Sequence, residues 1–257
     1  MLITVDIGNS SINIGYFTAN GISVQSINTH PLKDSEEYLT DICNFLQQKR
    51  IEKNSHGGII SSVVPGHTSV LTEALRRLSA DEGAALLTVT HEMSSGLKFR
   101  VNAPEKVGSD RLANAVAAKE IYGKPAAVID FGTATTITVV GVDDDFIGGA
   151  ILPGLGLMNR ALGEGASRLQ EIILEPPLRA LGVDTQTCIR SGLFYGTAGA
   201  CERILMGIEE ETGVTLKVIL TGGFATVMGR FLRRIHEINS NLTLEGLRIL
   251  YEKNRPS

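Results

Sequence analysis

Three carboxylates, Asp6, Asp110 and Asp130, stand where the surrounding chain is built to come close to an anion. Asp6 closes a short apolar run at residues 2–5 and is followed by Ile7, Gly8, Asn9, Ser10, Ser11, Ile12 and Asn13. Asp130 closes a second apolar run at 126–129 and is followed by Phe131, Gly132, Thr133, Ala134 and Thr135. A glycine lets backbone approach a ligand closely, and successive N–H groups in such a turn form a nest for an anion. Asn9, Ser10, Thr133 and Thr135 add short polar groups that can bond phosphate oxygens. A carboxylate repels phosphate, so Asp6 and Asp130 suit a hard cation, or its water shell, between protein and phosphate. Taken singly, Asp-x-Gly is also an ordinary strand-end sequence; the repetition points to a nucleotide bound with metal.

The third acid lies in Val107-Gly108-Ser109-Asp110-Arg111, which opens an Ala-rich helical run to about residue 121. Exposed N–H groups and the dipole at a helix start favour negative charge. Asp110 reads in two ways, as a capping acid beside a solvated Arg111 or, at the junction of two halves, as a carboxylate that accepts a hydroxyl proton.

The repeat implies the elements that must carry these residues. The two Asp-x-Gly turns lie 124 positions apart, about half of the 257-residue chain, which predicts two similar halves rather than a solenoid. Each turn joins an apolar strand to a β-branched one, as in a hairpin. Behind the first hairpin the pattern predicts a strand at 22–28, a helix at 35–48, a strand at 58–62, a helix at 67–78 and a strand at 85–89. Behind the second it predicts a strand at 146–151, helices at 155–162 and 185–212, a strand at 216–220 and a helix at 225–236. The order βββαβα in each half calls for mixed sheets with an antiparallel opening and parallel later strands. The expected division falls at 1–115 and 116–257.

Composition narrows the function. At 43% hydrophobic and 20% charged residues the chain is globular, and a net charge of −4 gives no overall cationic field for nucleic acid or an anionic membrane. Cys43, Cys188 and Cys201 lack metal or disulfide spacing and read as reduced core thiols. The five histidines show no ligand spacing and are expected at the surface. There is no GxxxxGK[ST] loop, no third glycine after Gly154-Leu-Gly156, and no second histidine at the zincin offset from His91. With no basic flank or long apolar segment at its start, the chain is expected in the cytoplasm. Arg230, Arg233 and Arg234 read as a solvated face near a helix end.

Seven blocks in order resemble the type III pantothenate kinases: Asp6-Ile-Gly8-Asn9-Ser10; Ser61-Ser62-Val-Val-Pro65; Pro104-Glu-Lys-Val-Gly108-Ser-Asp110-Arg111; Asp130-Phe-Gly132-Thr133-Ala134-Thr135; Gly148-Gly149-Ala-Ile-Leu-Pro153-Gly154; Thr185 with Ser191-Gly192; and Thr221-Gly222-Gly223. The resemblance implies the actin, Hsp70 and sugar-kinase architecture, an α/β fold of two ribonuclease H-like domains flanking an ATP cleft. It implies ATP-dependent phosphorylation of the primary hydroxyl of pantothenate, the first step toward coenzyme A.

Residue by residue, the resemblance implies that Asp6 to Asn13 is a phosphate loop with Asp6 helping to hold magnesium, that Thr133 contacts ATP, and that Gly222 and Gly223 lie by the adenosine. Asp130 is similar to the family's ligand for a monovalent cation, potassium or ammonium. Asp110 matches the base that takes the hydroxyl proton, and Gly108, Ser109, Arg111 and Thr185 match pantothenate contacts. The family's pantothenate site is completed across a homodimer.

The chain departs from the family pattern at Val101, where an aromatic Tyr is usual, with Phe99 two residues earlier. It also departs at Ser10 for Thr, Ser109 for Ala, and Asp184 for Asn. Two other readings compete: the same fold acting on a sugar or acetate, and a nucleotide-binding regulator that has lost catalysis.

Overall fold

The apolar run before Asp6 forms β1 (Leu2–Ile7), buried at every position but Asp6 itself. It is the central strand of a five-stranded sheet. On one side lie β2 (Ser11–Thr18) and β3 (Gly21–Asn28), each antiparallel to its neighbour. On the other lie β4 (Gly57–Ser62) and β5 (Ala85–Thr88), both parallel. A strand covered on both faces draws mostly apolar residues, hence Leu2, Ile3, Val5 and Ile7 in β1 with only the small Thr4 buried among them, rather than alternation.

Helix α1 (Ser35–Gln48) starts at a capping box in which Asp34 accepts from the Glu37 N–H. α2 (Pro65–Arg76) carries Pro in its first turn, where no N–H is needed. Tyr38, Ile42 and Leu46 of α1 and Leu71 and Leu75 of α2 close a core on Ile3, Val5, Ile7, Ile12, Ile14 and Tyr16. The structure is a computed structural model that describes residues 1–78, 84–165 and 169–256.

Clustering of contacts divides the chain into a first unit, Met1–Leu97 with Asn102–Ala117 and the segment from Thr243 onward, and a second unit, Lys98–Val101 with Ala118–Leu242. The first unit therefore also holds α3 (Ser109–Ala117), which passes into a π turn at Ala118–Tyr122 rather than running on as α-helix to residue 121.

The second unit takes β6 (Lys98–Phe99) from the connecting segment and adds β7 (Ala126–Phe131), β8 (Ala134–Val140), β9 (Asp145–Pro153), β10 (Lys217–Thr221) and β11 (Glu237–Ile238). Its strand order, β11-β10-β7-β8-β9-β6, repeats that of the first sheet with β6 as an extra edge. β7 stands for β1, β8 and β9 for the antiparallel pair, and β10 and β11 for the parallel one. The echo read in the sequence is thus an equivalence of whole sheets.

α4 (Leu155–Gly165) and the 28-residue α5 (Thr185–Thr212) flank this sheet in sequence. α5 opens on a capping box at Asp184 and ends at Gly213, whose φ of 71° is the left-handed conformation a C-terminal stop requires.

Four expectations are corrected. The helix expected at 225–236 is only α6 (Ala225–Met228). Beyond it the Arg233 and Arg234 N–H groups both donate to Glu202 Oε1, and the Arg234 guanidinium forks onto Glu209, so tertiary bonds capture backbone that propensity alone would coil. Arg234 is accordingly an ion-paired residue, not part of a solvated face. His67 is 2% exposed, with its Nδ1 2.8 Å from the Tyr38 hydroxyl. Cys188 is exposed; only Cys201 is a fully buried thiol.

A helix the sequence reading left out, α7 (Leu242–Asn254), returns to the first unit after the whole of the second. Thr243 Oγ1 donates to Asn114 Oδ1 at 2.8 Å, and Asn254 exchanges two hydrogen bonds with the Ser94 backbone. Gly246 lies so close to Ala113 that an added Cβ would collide with its carbonyl, and the Tyr251 ring end sits over Gly57 in the same way. These close approaches explain why the unit boundary differs from a single cut at 115/116.

Candidate active site

Asp6, one residue before the end of β1, stands opposite Asn13 of β2 on one side and Ser61 of β4 on the other. The Ser61 hydroxyl donates to Asp6 Oδ1 at 2.9 Å. At the tip of the hairpin the Gly8 N–H bonds to the Ser11 carbonyl, and Gly8 accepts from the Thr29 hydroxyl at 2.7 Å. Gly8 has only the Ser11 carbonyl near its missing Cβ, at 3.2 Å, while Asn9 and Ser10 face solvent. The turn is thus fixed at its base and exposed at its tip.

Asp110 occupies the first turn of α3, half-buried, with Ser109 ahead of it and Arg111 behind. Its carboxylate folds back over Gly108, where a Cβ would collide with Oδ1. Only glycine at 108 leaves the carboxylate this position. Burial holds the Arg111 guanidinium below its ordinary value, with the Asp110 charge opposing. The Ser109 hydroxyl touches Ser61 Oγ at 2.9 Å and accepts from the Ser62 N–H at 3.2 Å. Asp6, Ser61, Ser109 and the start of α3 therefore form one assembly inside the first unit.

In the second unit Asp130 has the equivalent place, paired with Thr136 of β8 and with Thr221 of β10. Gly132 closes its turn by donating to the Ala134 carbonyl. Gly222 has φ 90°, and a Cβ on it would collide with Asp130 Oδ1 and the Phe131 backbone. Gly222 is thus required both by conformation and by its packing against the carboxylate, while Gly223 is exposed with open space at its Cβ position. Gly154 pins the same turn from below: its N–H donates to the Thr133 carbonyl at 3.0 Å.

Val101 is half-buried, its Cγ1 3.9 Å from the Cβ position of Gly148. Phe99, two residues earlier, packs its ring on Phe146 in the sheet, 5.8 Å between centroids. Thr185 is the exposed first residue of α5. Asp184 spends Oδ1 on the Thr187 N–H at 2.8 Å, and its hydrogen bonds to Thr187 hold its carboxyl below the usual range.

No group of three or more acidic, His or Cys side chains able to hold a metal occurs among the described residues. Single carboxylates such as Asp6 fit a cation that takes its remaining oxygens from phosphate and water, the usual habit of magnesium in phosphoryl transfer.

Ser61 is the hydroxyl partner the sequence does not reveal, and Thr221 holds the matching register beside Asp130. Both lie within the seven blocks, but a hydroxyl's partner across a parallel ladder depends on register, which no local pattern reveals.

Two sheets of matching strand order, each ending its central strand in Asp-x-Gly, define the fold of the actin-like ATPases and sugar kinases. Solved structures with this fold include the activator of 2-hydroxyisocaproyl-CoA dehydratase from Clostridium difficile with bound ADPNP, at TM-score 0.54 and 11% identity over 97% of this chain and 93% of that one. A protein from Sinorhizobium meliloti described as a 2-dehydro-3-deoxygalactonokinase reaches TM-score 0.50 at 14% identity over 100% of both chains.

Within that fold the chain belongs to the type III pantothenate kinase family, whose model matches residues 2–206. The type III pantothenate kinase of Moorella thermoacetica is 35% identical over 99% of this chain and 100% of its own length, and that of Rubrobacter xylanophilus 37% over 99% and 98%.

Proposed function

We propose that the protein transfers the γ-phosphoryl group of ATP to the primary hydroxyl of pantothenate, with Asp110 as the base. The observation that carries this reading is the placing of Asp110 on the first turn of α3, joined through Ser109 and Ser61 to the carboxylate of Asp6. Phosphoryl transfer asks little covalent chemistry of a protein; it asks for positioning and for charge held where the phosphates are. The turn from Asp6 through Ile7, Gly8, Asn9, Ser10, Ser11 and Ile12 to Asn13 offers backbone and short side chains to phosphate oxygens.

Thr133 serves ATP in the same way from the second turn, and Gly222 and Gly223 lie by the adenosine. Asp6 holds magnesium, directly or through water, and the metal supplies neutralisation of phosphate charge when bound. Asp110 accepts the proton of the attacking hydroxyl. Gly108, Ser109, Arg111, Thr185 and Val101 contact pantothenate, Ser109 through its backbone because its hydroxyl is engaged with Ser61 and Ser62. Asp130 holds potassium or ammonium, which offsets phosphate charge in place of a lysine.

The protein works in the cytoplasm as a homodimer. No helix among the described residues is long and apolar enough to cross a membrane. The dimer reading is supported by the apolar side chains of Ile173, Leu178, Leu181 and Val183, all exposed on the segment leading to α5. An apolar group of this kind on a monomer's surface marks an interaction site.

The test is Asp110→Asn in a coupled assay. Turnover is expected to fall by about 10² to 10⁴ with ATP binding within about two-fold; turnover that survives within a few-fold removes the base assignment. Sedimentation of Leu178→Glu is expected to give a monomer, and an unchanged dimer excludes this surface.

A further inference from the structure

The hydroxyl chain that joins Asp6 to the start of α3 in the first unit touches no phosphate or substrate in the reading above, and its direction can be worked out hydrogen by hydrogen. Ser61 is fully buried and donates its one hydroxyl hydrogen to Asp6 Oδ1. At the Ser61–Ser109 contact of 2.9 Å either oxygen has the geometry to donate. With the Ser61 hydrogen committed to Asp6, the Ser109 hydroxyl is the donor there, the 2.9 Å contact to Ser61 being much shorter than that to its other acceptor, the Ser62 carbonyl at 3.5 Å. Ser109 Oγ in turn accepts from the Ser62 N–H. Every hydrogen then points the same way: Ser62 N–H to Ser109, Ser109 to Ser61, Ser61 to the carboxylate. Chains with one direction polarise each other and hold their members more firmly than isolated pairs.

We propose that Ser61 and Ser109 are positioning residues that lock the Asp6 carboxylate in one orientation and tie the first turn of α3, with Asp110, to the ends of β1 and β4. The proposal rests on the roles given above to Asp6 and Asp110. With Oδ1 held by Ser61, Asp6 presents its other oxygen in a fixed direction. Ser109, adjacent to Asp110, fixes where the helix begins and so where that carboxylate stands. An alanine at 109 would have no hydroxyl to join the chain. A hydrogen-bonded tether of this kind acts on geometry at the reacting groups, where a small misplacement lowers turnover well before it lowers binding.

The experiment compares Ser61→Ala, Ser109→Ala, the double variant and Ser109→Thr with the unaltered protein in a coupled kinase assay, titrating magnesium and pantothenate, with thermal midpoints recorded for each. Ser61→Ala is expected to raise the apparent magnesium constant about five-fold, and Ser109→Ala to lower kcat about three- to ten-fold with KM for pantothenate unchanged. Ser109→Thr, which keeps the hydroxyl, restores kcat. The double variant is expected to cost no more than about the larger single loss, because both changes break one chain. Additive losses that track the thermal midpoint mean the serines are merely structural and overturn the proposal. So do single variants with unchanged magnesium dependence and kcat. Asp6→Asn and Asp110→Asn run alongside separate the two failures: if they abolish turnover while the serine variants do nothing, only the tether falls; if they leave it intact, the functional reading falls and the tether with it.

Discussion

The two Asp-x-Gly hairpins occupy the same place in two equivalent sheets, yet their carboxylates are held by different means. Asp6 is bonded by a hydroxyl, Ser61, from the neighbouring parallel strand, and that strand continues into Ser62, which joins a polar assembly reaching α3. Asp130 pairs with Thr221 at the matching register, and the strand continues into Gly222, whose backbone packs directly against the carboxylate. The turns also differ in length: four residues separate the paired Ile7 and Ile12, and three separate Phe131 and Thr135. The lesson is that a duplicated scaffold places two acids alike and then diverges one residue further on. A polar support leaves the first acid linked to the start of α3, and a steric support packs backbone against the second acid.

The largest test of this contrast is charge removal at each acid. Asp6→Asn is expected to lower kcat by about 10² or more with a steep loss of magnesium dependence, because the proposed function gives this acid the magnesium beside the phosphates. Asp130→Asn is expected to cost less and to abolish the difference between potassium and sodium buffers. Identical ion profiles for the two variants would erase the distinction between the hairpins.

Next comes the steric support. Gly222→Ala forces a Cβ into Asp130 and the Phe131 backbone at a φ of 90° and is expected to destabilise by about 2–4 kcal/mol. Ser62→Ala, at the matching place in the first unit, keeps its backbone N–H and is expected to cost about 1 kcal/mol at most. Urea denaturation of both decides it, and equal midpoints would contradict the steric account.

Gly246→Ala, at the contact between α7 and α3, is expected to cost about 2 kcal/mol and to lower activity with it.

The smallest expected effect is in pH. Burial, and secondarily the charge of His30, holds the His67 imidazole below its ordinary 6.5. The unfolded chain therefore takes up a proton near pH 6.5 that the folded chain refuses until lower pH. The contribution is fully present above 6.5 and is lost as pH falls from there toward the depressed value. His67→Gln is expected to flatten the urea midpoint between pH 7.5 and 5; an unchanged slope would assign the acid sensitivity elsewhere, for instance to the similarly lowered His56.

Much of this fold is legible in the sequence alone. The central strands announced themselves by short, largely apolar runs ending in Asp-x-Gly, and the limits of α5 at 185–212 agree with the expectation. What escaped was decided at a distance. α6 is short because Glu202 and Glu209 claim the chain beyond it. α7 had an apolar periodicity of its own at Leu247, Leu250 and Tyr251, but no local signal says that it belongs to the first unit. Within the candidate site the acids were legible from their glycines, whereas Ser61 acquired meaning only through its register against Asp6.

The return of α7 has a consequence for how the chain matures on the ribosome. Synthesis runs from the N-terminus, yet the Tyr251 ring that covers Gly57 and the Gly246 backbone that fits against Ala113 are made after every residue of the second unit. The second unit can thus acquire its full core during elongation, while the first waits with its sheet partly uncovered. Where N-terminal domains usually complete first during synthesis, completion of this first unit depends on thirteen residues of helix made after the second.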